Sequence, residues 1–176
     1  MKAKFLSVLL ALTMVLSLLP TAVLAKDKTV STEEELKQAI ESVSDGDTIT
    51  VSGTIEVNAP LVVTHTITLT GGSIVASNNF TSNSNQLADF NLISLKTAGK
   101  TLTLKNITLN ANGKSLVVYC NAGKVVVDGA TITGGKTSSY VAGVYMTSAS
   151  HFEMNSGSIT GNEVGDSFKN DHYTQY

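Results

Sequence analysis

The sequence predicts an all-β fold, a right-handed parallel β-helix with three faces and about four to five coils, preceded by an amphipathic capping helix. Three observations lead to this fold class. A strand–corner–strand template recurs along the chain, a further short apolar strand precedes three of its copies, and one helical pattern lies ahead of the first strand. The right-handed turn follows from the crossover that parallel strands prefer.

The template places apolar residues or glycine at offsets 0, 2, 5 and 7. Its copies are ITLTGGSI, LTLKNITL, VVVDGATI and FEMNSGSI, which begin at residues 67, 102, 125 and 152 and so lie 35, 23 and 27 residues apart. Offsets 0 and 2 share one face of a strand, and a corner then shifts the parity so that offsets 5 and 7 face the same interior. Stacked coils of this kind bury a common core, with ladders such as Ile74, Leu109, Ile132 and Ile159.

Each corner consists of residues that favour turns. The four pairs are Thr70-Gly71, Lys105-Asn106, Asp128-Gly129 and Asn155-Ser156. Most of these residue types tolerate left-handed or bent backbone, so the sequence predicts a bend in every coil.

A third strand per coil is predicted at residues 91–95, 116–120 and 143–146. In these strands the odd-numbered and the even-numbered positions are both partly apolar, so the sequence does not show which side chains face the core. If Val117, Tyr119, Val144 and Met146 face outward, they form an apolar strip. The polar stretch at residues 76–91 accounts for the longest step and predicts a protruding loop.

The predicted capping helix follows a capping-box spacing of Thr32 and Glu35. Leu36, Ala39, Ile40 and Val43 then keep helical periodicity, and Asp45-Gly46 is the predicted end of the helix. The predicted organisation is a capping region at 26–46, the parallel β-helix at 47–166 and a polar tail at 167–176.

The first 25 residues predict a secretory signal peptide. Lys2 and Lys4 precede an apolar run, and Val23 and Ala25 form a small-residue cleavage site. Cleavage after Ala25 leaves 151 residues and predicts a secreted or cell-surface protein with no membrane span in the mature chain.

The amino-acid composition limits the catalytic groups and the binding partners that the chain can have. All twelve Lys and Arg residues are lysine, so a guanidinium base or fork is excluded. The formal charge of −2 becomes −4 without Lys2 and Lys4, which argues against nucleic acid as a partner. Cys120, the only cysteine, forms no internal disulfide and is interpreted as a small buried side chain.

Two segments carry a family resemblance. TEEELKQAIESVSDGDTITVSGTIEV, residues 32–57, resembles the N-terminal cap and first coil of pectate-lyase-like right-handed parallel β-helix proteins. AGVYMTSASHFEMNSGSITGN, residues 142–162, resembles the coil repeat of exported bacterial surface proteins of adhesin type with this fold. The resemblance implies the fold; it implies activity only weakly, because one fold hosts many functions.

The resemblance raises the alternative of a polysaccharide lyase or hydrolase. Lyases of this class use an acidic calcium site and a basic residue, usually arginine, whereas the hydrolases need clustered aspartates. This chain has no arginine and no Asp-Asp pair, and its acids in the coils occur singly: Asp89, Asp128, Glu153, Glu163 and Asp166. Lys105 and Lys124 stay open as candidate bases, and His65 and His151 are interpreted as strand-flanking residues.

A second alternative is an ice-binding solenoid, because Thr64, Thr66, Thr68 and Thr70 form the start of a threonine ladder. Thr101 and Thr103 extend it, but Lys124, Val126, His151 and Glu153 interrupt it in the next coils. These threonines are therefore interpreted as ordinary outward-facing strand residues.

The sequence thus predicts an exported cell-surface or extracellular β-helix protein with a structural or adhesive role. Its candidate partners are extracellular polysaccharide and host or matrix protein. The aromatic residues that could stack on sugars are few: Tyr119, Tyr140, Tyr145, Phe152 and Tyr173. No catalytic, cofactor-binding or metal-binding residue is predicted, and no cofactor is expected.

Overall fold

The computed structural model describes residues 26–165, except residues 85, 87, 139 and 140. The predicted signal peptide at 1–25 and the polar tail at 167–176 lie outside these residues. The described part contains one helix and fifteen strands. In chain order they are β1 (Asp27–Val30), α1 (Glu33–Ser42), β2 (Asp47–Val51), β3 (Thr54–Val57), β4 (Leu61–Val63), β5 (Ile67–Thr70), β6 (Ser73–Ala76), β7 (Asn91–Leu95), β8 (Thr101–Lys105), β9 (Thr108–Asn110), β10 (Leu116–Cys120), β11 (Lys124–Thr133), β12 (Lys136–Thr137), β13 (Val144–Met146), β14 (His151–Ile159) and β15 (Glu163–Val164).

The strands form parallel sheets, in which each strand lies beside its counterpart from the neighbouring stretch of chain. The largest sheet has nine strands in the order β1-β2-β5-β8-β11-β9-β6-β3, with β14 paired to β11. A second sheet has the order β13-β10-β7-β4, and β12 pairs with β15. The prediction of an all-β fold built from parallel strands is confirmed, and the arrangement is compatible with a β-helix or solenoid.

The pairing of residues between neighbouring parallel strands confirms the predicted apolar ladder. Ile74 lies opposite Leu109, Leu109 opposite Ile132, and Ile132 opposite Ile159. The first three side chains are fully buried, whereas Ile159 is 40 % exposed. The core therefore runs along the stack and ends, within the described residues, at β14.

The corners bend where the sequence places turn residues. Gly71, Asn106 and Gly129 adopt positive φ angles of 77°, 47° and 78°. In the last copy the positive φ of 108° falls on Gly157, just after the predicted pair Asn155-Ser156. The pairing of β14 with β11 skips Asn155, so the strand bends at the predicted pair, and Gly157 adopts the positive φ without steric cost.

Helix α1 begins as predicted and ends earlier. The Thr32 hydroxyl accepts the Glu35 N–H at 3.2 Å, and the Glu35 carboxylate accepts the Ser31 N–H at 2.8 Å. The predicted stop at Asp45-Gly46 is wrong by three residues, because Val43 is already extended with ψ at 157°. The helix buries Leu36, Ala39 and Ile40 against β1, β2, β3 and β4.

Candidate functional site

The outer face of the second sheet carries a row of four side chains, one from each strand. Val62 lies opposite Ser94, Ser94 opposite Tyr119, and Tyr119 opposite Tyr145. Neighbouring strands are about 4.8 Å apart, so the four side chains follow one another across the sheet. Ser94 and Tyr119 are buried within this row. Val62 is 44 % exposed, the largest exposure among the apolar side chains of this face.

This register settles the inward side of the third strands. Val118 and Cys120 lie opposite Val144 and Met146, and the four residues belong to the core or pack against it. The sequence allowed an outward apolar strip of four residues: Val117, Tyr119, Val144 and Met146. This strip is not formed, because Val117 and Tyr119 have the outward parity whereas Val144 and Met146 face inward.

The two tyrosines of the row form an aromatic pair. The rings of Tyr119 and Tyr145 stack with centroids 5.6 Å apart and planes within 2° of parallel. Burial, followed by the neighbouring Tyr145, raises the pKa of the Tyr119 hydroxyl. The hydroxyl therefore stays protonated at neutral pH and can donate a hydrogen bond.

The loop at residues 77–90 folds beside this row. Phe80 is buried, and the Ser77 hydroxyl donates to Asn58 Oδ1 at 2.6 Å. The Thr81 N–H also donates to the Asn58 carbonyl oxygen at 3.0 Å. The predicted loop is thus held against the strands at its first turn.

A cleft of about 500 Å³ opens between this loop and strands β4 and β7. Most of its lining residues are polar or small, and all come from the loop, from the two strands or from residues next to them. The lining residues are Pro60, Val62, Thr81, Ser82, Asn83, Ala88, Asp89, Asn91, Ser94 and Lys96.

Asn91 is one of the residues around this cleft, and its side chain has an unsatisfied oxygen. Its side chain is fully buried, and its Nδ2 donates to the Ala88 carbonyl oxygen at 2.8 Å. Its Oδ1 is buried and is the one such side-chain atom without a hydrogen-bond partner in the described part of the chain. Asn91 has the same parity as the inward Ile93, so this oxygen is enclosed by the protein rather than exposed in the cleft.

An ion pair borders the same cleft. Lys96 Nζ lies 2.7 Å from Asp89 Oδ1, and both side chains are partly exposed. The cleft therefore presents a cation, a carboxylate, an amide and hydroxyl groups beside the apolar surface of Val62. Such a set can hydrogen-bond hydroxyl and carboxylate groups while an apolar face packs against Val62.

The other acids and bases considered from the sequence are spread over the molecule. Lys124 pairs with Glu153 at 2.6 Å and Lys136 with Glu163 at 3.3 Å, both on the surface. Asp128 accepts the Ser156 hydroxyl at 3.2 Å across a corner. Lys105 and His151 are exposed. Asp166, Tyr140 and Tyr173 lie outside the described residues.

The threonine ladder is interrupted where the sequence predicts it. Thr48, Thr68 and Thr103 lie in one outward column, and Val126 and Glu153 follow them. Thr70 lies opposite Lys105 in the neighbouring column. A flat, uninterrupted threonine surface is not formed by these residues.

Sequence reasoning missed Asn91, Ser94 and Lys96. The signal that could have found them is the 35-residue step, because the extra residues form the loop that encloses one side of the cleft. Asp89 and Tyr119 were noted, but nothing in the sequence brings them near Lys96.

Within residues 26–165, apart from 85, 87, 139 and 140, no group of three or more His, Cys, Asp or Glu side chains is placed to hold a metal ion. No helix there is long and apolar enough to cross a membrane.

No protein-family model, no curated protein and no solved structure matches the chain. The family resemblance of residues 32–57 and 142–162 therefore stays a prediction made from the residues themselves.

Proposed function

We propose that the chain is an exported right-handed parallel β-helix of the pectate-lyase-like class that binds extracellular polysaccharide in the cleft of Asn91 and Lys96. Helix α1 caps the N-terminal end of its core. The role is structural or adhesive at the cell surface or outside the cell, and no catalytic step is assigned.

The observation that carries this proposal is the cleft itself, where the Lys96–Asp89 ion pair lies near the exposed apolar side chain of Val62. A sugar supplies hydroxyl groups that hydrogen-bond with the charged pair, and its ring carbons supply an apolar face for Val62. The cleft volume of about 500 Å³ accommodates a short oligosaccharide segment.

The ion pair of Asp89 and Lys96 supports acidic sugars as the preferred ligands. A uronate carboxylate competes with Asp89 for the Lys96 ammonium group, which is 34 % exposed and so accessible from solvent. Charge-assisted hydrogen bonds of this kind are roughly twice as strong as neutral ones. Neutral polysaccharides would make only the amide and hydroxyl contacts.

The test is a binding titration of the exported chain against acidic and neutral polysaccharides, with and without calcium. Lys96→Met should weaken binding of an acidic polysaccharide at least about tenfold, because a charged hydrogen bond is lost. Asp89→Asn should strengthen it, since Lys96 then has no competing partner. The release of unsaturated and of reducing sugar ends from the polysaccharide is measured in the same samples, as a test for cleavage.

Lys136→Met is the matched control, because Lys136 is also a surface lysine paired with a carboxylate, at the distant Glu163. It should leave the affinity within about twofold. Equal effects of the two lysine variants, or no retention of any polysaccharide, would refute the cleft as the binding site. Product release that depends on the protein would replace the binding role with a catalytic one.

A further inference from the structure

Strand β14 leaves the end of the apolar core open to solvent. Phe152, Met154 and Ile159 are 41 %, 42 % and 40 % exposed. Their counterparts in β11 are Val125, Val127 and Ile132, which are fully buried. Three of the four exposed large apolar side chains among the described residues therefore lie on this one strand.

The opposite end of the stack is already covered. Helix α1 lies against β1, β2, β3 and β4 and buries Leu36, Ala39 and Ile40 there. A second copy that placed its β14 on that end would meet helix α1, which disfavours a head-to-tail filament. Pairing of one β14 with another avoids this obstacle.

The inward pattern of β14 is the same when read in either direction. Phe152, Met154, Gly157 and Ile159 occupy offsets 0, 2, 5 and 7, and this spacing is symmetric about the bend. When two copies run antiparallel about a twofold axis at that bend, Phe152 lies opposite Ile159. In the same register, Met154 lies opposite Gly157, whose missing side chain leaves room for it.

The outward residues fit the same register. Glu153 lies opposite Ser158, and His151 lies opposite Thr160. Over residues 147–164, the register places no two like charges opposite each other. Like charges directly opposite destabilise a strand pair, so this register avoids that cost.

The backbone groups of β14 are also oriented for this pairing. The N–H groups of His151 and Thr160 donate back to Gly123 and Ile132, at 2.9 and 3.0 Å. Backbone direction alternates along a strand, so Phe152 and Ile159 direct their N–H and C=O groups at the free edge. In the antiparallel register these two residues form a hydrogen-bonded pair.

We propose that two copies of this chain associate through β14 as a closed, twofold-symmetric dimer. The pairing joins the nine-stranded sheets of the two copies and covers the open ends of both cores. It goes beyond polysaccharide binding and does not depend on it. A twofold interface uses the same patch on both subunits, as this palindromic strand does.

The first test is sedimentation velocity of the exported chain over about 1 to 100 µM. We expect a monomer–dimer equilibrium and no larger species. Met154→Lys should weaken the dimer at least about tenfold, because a charge would enter the joined core. The same change is tolerated in the monomer, where the side chain is 42 % exposed, so the melting temperature at low concentration should hold.

The second test fixes the register. Chains carrying Glu153→Cys and chains carrying Ser158→Cys are mixed and oxidised, because these residues form a non-hydrogen-bonded pair with Cβ atoms about 5 Å apart. The mixture should give a disulfide-linked dimer, and each variant alone should give little. The natural Cys120 is buried and should not react.

Three outcomes would overturn the proposal. These are a chain that stays monomeric at every concentration, assemblies that grow beyond the dimer, and cross-linking that is as efficient for either cysteine variant alone as for the mixture.

Discussion

Asp47 places a carboxylate at the first inward position of strand β2. It lies opposite Ile67 in register and is buried. Its oxygens accept the N–H of Ser44 at 2.9 Å and the N–H of Lys26 at 2.8 Å. These backbone hydrogen bonds, the one from Ser44 first, lower the pKa of Asp47 below its usual value. One acid thus satisfies two amides at the beginning of the β-structure.

This arrangement predicts a loss of stability in acid. Because the folded pKa is lowered, the stabilisation by Asp47 is complete above the unfolded pKa of about 3.8 and is lost as the pH falls below it. Asp47→Asn should destabilise the protein at pH 7, and its deficit relative to the natural chain should shrink towards about pH 2.5. Urea unfolding across this range measures the deficit.

The matched control for Asp47 is Asp27→Asn, at an exposed position of β1. It should follow the natural chain closely over the whole titration. A deficit of Asp47→Asn that is the same at pH 7 and at pH 2.5 would contradict the role assigned to the Asp47 carboxylate.

Gly72 lies at the corner between β5 and β6, where its backbone closely approaches that of Gly53. Its φ is 30°, and a Cβ placed there would lie 2.2 Å from the Gly53 carbonyl oxygen. Gly99 also has a positive φ, of 71°, but a Cβ there would meet no atom within 4 Å. Substitutions at the two positions therefore separate the cost of a left-handed backbone from the cost of steric overlap.

We expect Gly99→Ala to cost about 1–2 kcal/mol, which is the cost of the left-handed backbone alone. Gly72→Ala should cost clearly more, because the carbonyl it would meet cannot rotate away. Thermal unfolding of both variants measures the difference, at about 2–4 °C per kcal/mol for a chain of this size. Equal losses would show that the contact with Gly53 is not what requires glycine.

Among the elements, helix α1 depends on its first turn. The Thr32 hydroxyl accepts the N–H of Glu35, and the Glu35 carboxylate accepts both the N–H and the hydroxyl of Ser31. The hydrogen bonds from the Ser31 N–H and then its hydroxyl lower the pKa of Glu35. The side chains of the first turn therefore hold that turn themselves, and the apolar face of the helix separately contacts β1 and β2.

Thr32→Ala should destabilise the protein by about 1 kcal/mol, the usual cost of losing an N-cap oxygen. Thr32→Ser keeps that oxygen and should restore most of the loss. Chemical unfolding followed by circular dichroism gives both values. If serine is as damaging as alanine, the Thr32 methyl group rather than its hydroxyl supports the helix.

Strand β7 explains why the cleft could not be predicted from the sequence. Its outward side chains Leu92 and Ser94 are as fully buried as the inward Ile93 and Leu95. The alternation that distinguishes inside from outside is therefore lost. By contrast, β5 and β8 alternate cleanly between buried and partly exposed residues, and their ladder was predicted correctly.

For the whole molecule, the buried apolar side chains form one core that extends across the paired strands from Val30 to Ile132. Leu104 lies between Leu69 and Val127 on adjoining strands and is fully buried. Removing its side chain therefore weakens the packing against both neighbouring strands at once.

Leu104→Ala should cost about 2–5 kcal/mol, the range for large-to-small changes in a packed core. Val62→Ala, on the exposed side of β4, should cost less than about 0.5 kcal/mol. Urea unfolding compares them. A small loss for Leu104→Ala would mean that neighbouring coils close the cavity, and that the stack is more compliant than its burial indicates.

The loop at residues 77–90 lengthens the chain between β6 and β7 without disturbing the strand pairing around it. Strands β6 and β9 keep a direct register beside it, as do β4 and β7 on its other side. The number of residues between successive strands can therefore change while the apolar ladders persist. Under the proposed polysaccharide-binding role, an insertion or deletion in this loop would change the ligand preference of the cleft, and homologous chains should share inward side chains even where their loops differ in length.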